Sequence, residues 1–170
     1  MIAKIVRLLL GGLIALAGLV WLGLRVAARP FPIASLTSRD LGTKPIPSDL
    51  PAPVARFARA IFNGDQMPVV ESSMLVGRAK VSIKGLKLWA RFKFSHLTPD
   101  NYYHFIQVTW FGMPVATINK RYLDGKGIMD IPGAHVEDDP NTNHAANQGF
   151  WSEALAWAPS ILFADPRVRW

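Results

Sequence analysis

The sequence predicts an α+β fold, in which a curved, half-barrel-like antiparallel β-sheet with packed helices follows one N-terminal transmembrane helix. Three patterns support this fold class: an uncharged run at residues 8–24, a period of two between residues 67 and 133, and helical spacing of apolar residues near residues 54–62 and 145–158. These patterns divide the chain into three parts. They are a transmembrane anchor at 1–29, a Pro-rich tether at 30–50 and an α+β domain at 51–170.

The N-terminal segment has the length and flanking charges of a membrane anchor. Residues 8–24 carry no charge, and a helix of this length spans about 25 Å of the roughly 30 Å hydrocarbon core. Arg7 and Arg25 can reach the two interfaces, and Trp21 lies near one end. A cleaved signal peptide is the alternative, but its apolar region is usually only about 7–15 residues long. We expect an uncleaved signal-anchor with the domain on the extracytoplasmic side, since the flanking charges favour that orientation by a small margin.

Two short segments follow the anchor. Six of the 13 prolines fall between residues 30 and 53, which predicts a stiff, extended tether. A short helix is expected over residues 54–62, where apolar residues recur with helical spacing. Ser48 or Asp49 is the expected N-cap, and Asn63-Gly64 is the expected stop.

The period of two predicts a β-meander. The expected strands are 69–76, 78–84, 86–95, 102–111, 114–123 and 126–132. Consecutive strands joined by short turns pair antiparallel. A polar loop at 135–149 and a helix at about 145–158 follow, and Pro159 ends that helix. The last six residues alternate again, which predicts the start of another strand.

Charge and composition exclude several functions. The net charge is +7, but residues 1–29 contribute +4 of it, so the rest of the chain carries only +3. The absence of cysteine excludes disulfides, thiolate nucleophiles and Cys-ligated metals. No Gly-x-Ser-x-Gly, Ser-x-x-Lys or phosphate-loop motif is present, so no catalytic residue and no cofactor is predicted.

One predicted hairpin carries a basic face with a single tryptophan. Its members are Arg78, Lys80, Lys84, Lys87, Trp89, Arg91 and Lys93. Nucleic-acid platforms combine such charge with several stacking aromatics, so we expect no nucleic-acid partner. A solvated face is the expected role, and contact with anionic lipid headgroups of the membrane is the alternative.

Only one stretch of the sequence resembles a metal site. His135, Glu137, Asp138 and His144 lie in one loop and are all able to bind a divalent ion, but their spacing matches no metal motif, and a solvated polar turn is the expected interpretation of the loop. His96 and His104 flank a predicted turn and could face each other across a hairpin. We expect them to be a surface pair.

The leading functional hypothesis is a membrane-tethered protein that binds a lipid or other amphiphilic small molecule inside the half-barrel. The candidate ligand contacts are Leu88, Phe92, Phe94, Phe105, Trp110 and Trp151. Carriers of lipoproteins in the bacterial envelope have such an architecture, an analogy that does not establish function. The alternatives are a metal-dependent enzyme that uses the 135–144 loop and an interaction module without a ligand.

Four segments resemble an uncharacterised bacterial family of membrane-associated proteins with a domain of unknown function. They are "LPAPVARF", "GRAKVSI", "RYLDGKGIMDIPG" and "WSEALAWAPSILFADPRVRW", and the similarity covers about residues 48–170. The last segment, which contains Glu153, Trp157 and Pro159, is the most specific. Because members of the family continue with further strands, the resemblance implies that this chain lacks its C-terminal portion and that residues 45–170 alone are marginally stable. It implies no activity.

Overall fold

The computed structural model describes residues 2–33, 40–83 and 85–170. Lys84 of the basic hairpin and residues 34–39 of the predicted tether therefore lie outside the described residues. Four helices are described: α1 (Ile2–Arg25), α2 (Ala52–Phe62), α3 (Pro140–Trp157) and α4 (Pro159–Ala164).

The strands form two antiparallel sheets. The small sheet pairs β1 (Thr43–Pro45) with β2 (Gln66–Pro68). The large sheet contains, in chain order, β3 (Ser72–Ile83), β4 (Leu86–Leu97), β5 (Asn101–Trp110), β6 (Met113–Leu123), β7 (Lys126–Ile131) and β8 (Ala134–Glu137). The predicted antiparallel meander is confirmed. The sheet stays open, with β3 and β8 at its edges.

The helix α2 confirms the predicted helix but not its predicted cap. Its N-cap is Pro51, which makes no side-chain hydrogen bond to the helix. Ser48 and Asp49 therefore do not cap α2, and prolines in the first turn fix the backbone for helix entry instead. At the other end, Asn63 adopts a left-handed conformation with φ of 54° and stops the helix as expected.

The C-terminal third differs most from the sequence prediction. The strand β8 and the first turn of α3 occupy the segment that was expected to be a loop. Asp139 is the N-cap of α3, since its carboxylate accepts a hydrogen bond from the Thr142 backbone N–H at 2.9 Å. Pro140 follows as the first helical residue. The helix consequently begins five residues earlier than expected.

The expected C-terminal strand is wrong. After α4, the described residues 165–170 form a turn and an irregular segment. The Arg167 guanidinium bonds the carboxylates of Asp165 at 2.6 Å and Asp100 at 2.7 Å, and the ring of Trp170 packs against Phe163. These contacts hold the tail beside α4 and away from the edges of the sheet.

One face of the large sheet packs against α3. Phe150 is fully buried in a cluster that includes Tyr102, Tyr122 and Ile161. Leu155, on the other side of α3, is exposed. A second cluster joins Ile46 and Met67 to α2 and α4, so the folded part of the chain includes residues of the predicted tether.

The helix α1 is long and apolar enough to cross a membrane, and its apolar window is not buried by other parts of the protein. Gly23 is the one buried residue of α1. A Cβ atom at this position would lie 2.1 Å from Nε1 of Trp110. Only glycine therefore fits where α1 contacts the sheet.

Candidate functional site

Two histidines face each other on the buried face of the β4–β5 hairpin. His96 pairs in register with Tyr102, and His104 pairs with Phe94, so the two imidazoles are diagonal neighbours on one face. His96 has no solvent exposure, and His104 is buried as well. The expected surface pair is therefore wrong. The rings do face each other, but they lie inside the protein.

The third member of the cluster comes from α3. Glu153 follows the buried Phe150 by three residues and precedes the half-buried Trp157 by four, so its side chain leaves the helix on the face that packs against the sheet. Its carboxylate is partly accessible, at 28% relative exposure. The site thus has two buried ligands and one that reaches solvent.

Three potential ligand atoms meet at one point. Glu153 Oε2 lies 2.9 Å from His96 Nε2 and 2.9 Å from His104 Nε2. The two Nε2 atoms are 3.5 Å apart. Nδ1 of His96 is buried and has no hydrogen-bond partner in the part of the chain that the structure describes, so all the polar interactions of this ring are directed at the cluster.

Aromatic rings hold both imidazoles in place. His104 stacks between Phe94 and Tyr102, with ring centroids at 4.1 and 4.2 Å. His96 stacks on Phe150 and meets Trp157 edge-on, both at 5.1 Å. Their orientation is therefore fixed by packing before any ligand binds, which is the condition for a preorganised site.

The cluster shifts the pKa of two groups. Burial alone would raise the pKa of Glu153, but hydrogen bonds from His104 and His96 outweigh burial and lower it to about 2. Burial raises the pKa of Tyr102 to about 12, with a further contribution from the nearby Glu153 charge. Glu153 is therefore ionised over the whole physiological range, and Tyr102 stays neutral.

Sequence reasoning missed Glu153 and misplaced the histidines. A signal for His96 was present, because Leu88, Ala90, Phe92, Phe94 and His96 alternate on the apolar face of a single strand. No sequence signal connects Glu153 with them, since it lies 57 residues beyond His96. Only the packing of α3 brings the three together.

The loop residues predicted to bind a metal are not assembled into one site. His135 bonds Asp130 and approaches Glu137, while Asp138 pairs with Lys126 Nζ at 2.8 Å. His144 is exposed on α3. Among the described residues, the group of three potential ligands that could hold a metal ion is instead His96, His104 and Glu153.

The residues predicted to contact an apolar ligand are divided among four places. Leu88, Phe92 and Phe94 share the apolar face of the sheet. Phe105 lies on the opposite face, because it pairs with Lys93, and it packs against Phe31.

The two tryptophans of that set lie at separate points. Trp110 donates a hydrogen bond from Nε1 to the Val20 carbonyl of α1 at 3.3 Å, and Trp151 packs edge-on against Phe150. The six residues therefore do not line one pocket.

The basic face of the hairpin is arranged around its tryptophan. Arg78 and Lys80 lie over the ring of Trp89, at 5.6 and 5.0 Å from its centroid. Arg91 donates two hydrogen bonds to Gln107 Oε1, while Lys87 and Lys93 are exposed.

Fold and site together define an α+β domain with an open six-stranded antiparallel sheet and a buried His-His-Glu cluster, behind a candidate membrane helix. A family of unknown function (DUF6544) matches residues 42–170, and the chain belongs to this family. No curated protein and no solved structure gave a significant match.

Glu153→Gln should destabilise the metal-free protein. It should also remove part of the decrease in the free energy of unfolding at low pH. Because the pKa of Glu153 is lower in the folded protein than its unfolded-state pKa of about 4.5, the ionised side chain stabilises the fold. This stabilisation is complete above pH 4.5 and is lost as the pH falls from there towards 2. We expect the substitution to lower the free energy of unfolding at pH 7 by about 2–3 kcal/mol, measured by urea denaturation with EDTA present. The difference from wild type should shrink below pH 4.5.

Glu137→Gln is the matched control, because Glu137 is exposed and only weakly paired. It should change stability by less than about 0.5 kcal/mol. Equal stability and equal pH dependence of wild type and Glu153→Gln would contradict a structural role for the cluster.

Proposed function

We propose that this protein is a membrane-anchored metal-binding protein, in which His96, His104 and Glu153 bind one divalent transition-metal ion. The observation that carries the proposal is the convergence of two buried imidazole nitrogens and one carboxylate oxygen on a single point. Residues that serve only the core rarely bring a charged group to two histidines on another element.

The spacing of the three atoms fits a small ion. The point equidistant from them lies about 1.8 Å from each atom, and zinc binds His nitrogen and carboxylate oxygen at about 2.0–2.2 Å. An ion displaced by about 1 Å from the plane of the three atoms would reach this distance from all of them. The side chains need to move little, if at all.

The chemistry of the donor set favours a transition metal over Ca²⁺ or Mg²⁺. Imidazole suits Zn²⁺, Fe²⁺, Co²⁺ and Ni²⁺, whereas Ca²⁺ and Mg²⁺ take oxygen ligands. Three protein ligands leave at least one coordination position for water, on the side where Glu153 reaches solvent. Zn²⁺ is the ion that we expect, because its tetrahedral preference matches this number of ligands.

Purified full-length protein should contain about one equivalent of metal and should melt at a higher temperature when Zn²⁺ is added, because the ion binds the folded form. The protein must be purified without a polyhistidine tag. Metal content by mass spectrometry and the visible absorption spectrum of the Co²⁺-loaded protein are the readouts.

Two single variants serve as tests of this binding. Glu153→Gln and His104→Asn should each lower the affinity by at least about tenfold. His135→Ala should leave affinity unchanged, since His135 lies on the exposed loop and not in the cluster. Absence of binding at micromolar Zn²⁺, or loss of binding in His135→Ala alone, would contradict the proposal.

The anchor and its orientation are part of the same proposal. The length and exposure of the apolar helix support a membrane span, its length exceeds the usual apolar region of a cleaved signal, and the flanking charges favour an N-terminus inside the cell. Since the protein has no cysteine, the exposed Leu155 can be replaced to give a unique label site.

In spheroplasts, Leu155→Cys should react with a membrane-impermeant maleimide, and Ile2→Cys should react only after lysis. The mass of the protein should include residues 1–29. The reverse labelling pattern would contradict the orientation, and a mass that lacks the first residues would contradict the anchor.

A second candidate function is the binding of an amphiphile along the apolar face of the sheet. Leu88 and Phe92 are only half-buried in the structure, so an acyl chain could pack on them. A photoreactive fatty acid should then label residues 88–94 in membranes.

Phe92→Glu should reduce that labelling, while Tyr103→Glu on the opposite face should not. Labelling confined to α1 would contradict this second function.

A further inference from the structure

The turns at one end of the large sheet expose apolar side chains. The β3–β4 and β5–β6 turns lie next to each other at this end, because β4 pairs with β5 and Trp89 lies opposite Thr109. Exposed apolar residues occur beside both turns: Ile83, Leu86, Met113 and Val115. We call this set the apolar tips. Four large side chains presented to solvent at one end of a sheet form the type of patch that marks an interaction surface.

The candidate membrane helix contacts the same end. The Phe111 backbone N–H, in the β5–β6 turn, bonds the Gly23 carbonyl at 3.2 Å, and Trp110 bonds the Val20 carbonyl. Gly112 lies within van der Waals reach of Val26. The β5–β6 turn is therefore held against the last two turns of α1.

This contact fixes the level of the apolar tips relative to a bilayer. Residues 20–23 precede Arg25, whose guanidinium lies over the ring of Trp21. Arg and Trp at the end of a span mark the interface with the headgroups. Because Trp110 and Phe111 contact the helix at this height, the β5–β6 turn and the neighbouring β3–β4 turn lie at the surface of the hydrocarbon core.

The charges beside the tips match an anionic surface. Lys87 follows Leu86 directly, and Lys80 precedes Ile83 by three residues, which is about 10 Å along a strand. Lys87 therefore lies within the roughly 5–7 Å of a headgroup layer, and Lys80 lies just outside it. No acidic residue occurs in β3 or β4.

We propose that the apolar tips insert into the headgroup layer of an anionic phospholipid bilayer beside α1. The strands of the sheet then extend from the membrane surface into the aqueous phase. This proposal depends on α1 spanning the membrane, as proposed above. It places the His96–His104–Glu153 cluster at the far end of the sheet. His96 is ten residues from Leu86 along β4, or about 30 Å, so the metal site faces the aqueous phase.

Site-directed fluorescence quenching tests this arrangement in full-length protein reconstituted into liposomes that contain phosphatidylglycerol. Leu86→Cys and Met113→Cys, each labelled with an environment-sensitive dye, should be quenched by phospholipid with a nitroxide high on its acyl chain. The matched controls are Leu97→Cys, at the opposite end of β4, and Leu155→Cys on α3, which are also exposed. Quenching at the tips should exceed that at the controls by roughly threefold or more.

Leu16→Cys in α1, tested with phospholipid that carries its nitroxide near the end of the acyl chain because Leu16 lies at the centre of the span, separates failure of this proposal from failure of the anchor. Quenching at Leu16 and at the tips supports the proposal. Quenching at Leu16 with the tips no more quenched than the controls overturns it, while the anchor stands. Absence of quenching at Leu16 overturns the anchor and this proposal together. Tip labels that are shielded from water but insensitive to the nitroxide indicate a protein contact, which also overturns the proposal.

Discussion

The Glu153 carboxylate is the polar link on which the packing of α3 against the sheet depends. It accepts from two imidazoles that are otherwise surrounded by aromatic rings. A charge that leaves water in this way is costly unless its partners are well placed, so the position of α3 along the sheet is restricted to the one that satisfies both histidines. Apolar contacts around Phe150 supply most of the burial but would tolerate a shift more readily, because they have little directionality.

In the two proposals, the two ends of the sheet have different roles: one end contacts the membrane and the other binds the metal ion. The end with the apolar tips is joined to α1 through Trp110 and Phe111, and the end with the histidines is covered by α3. If the first end rests on the bilayer, a bound metal ion exchanges with the aqueous phase and not with the lipid. The basic hairpin then has two parts: Lys80 and Lys87 lie near the headgroups, and Arg91, bonded to Gln107, lies farther from them.

The sheet could be predicted from the sequence because the alternation of apolar and polar residues is strong and the turns are short. The prediction was wrong where the same local residues are compatible with two kinds of structure. The expected boundary between strands 69–76 and 78–84 is wrong, because Gly77 lies within β3, where a Cβ atom would come within 2.6 Å of the Phe92 ring. The expected polar loop contains Asp139-Pro140, a pair that occurs in turns and also at helix starts, and here it starts α3. The cluster could be predicted only in part, since His96 follows the apolar alternation whereas its contact with Glu153 is purely tertiary.

X-ray absorption spectroscopy at the zinc edge, on untagged full-length protein loaded with one equivalent of Zn²⁺, identifies the ligands of the bound ion. If His96, His104 and Glu153 bind it, the spectrum should show nitrogen and oxygen atoms at about 2.0–2.1 Å with multiple scattering from two imidazoles, and His104→Asn should lose one imidazole. A shell without imidazole scattering, or a spectrum unchanged in His104→Asn, would show that the metal binds elsewhere and that the three side chains serve only the packing of α3.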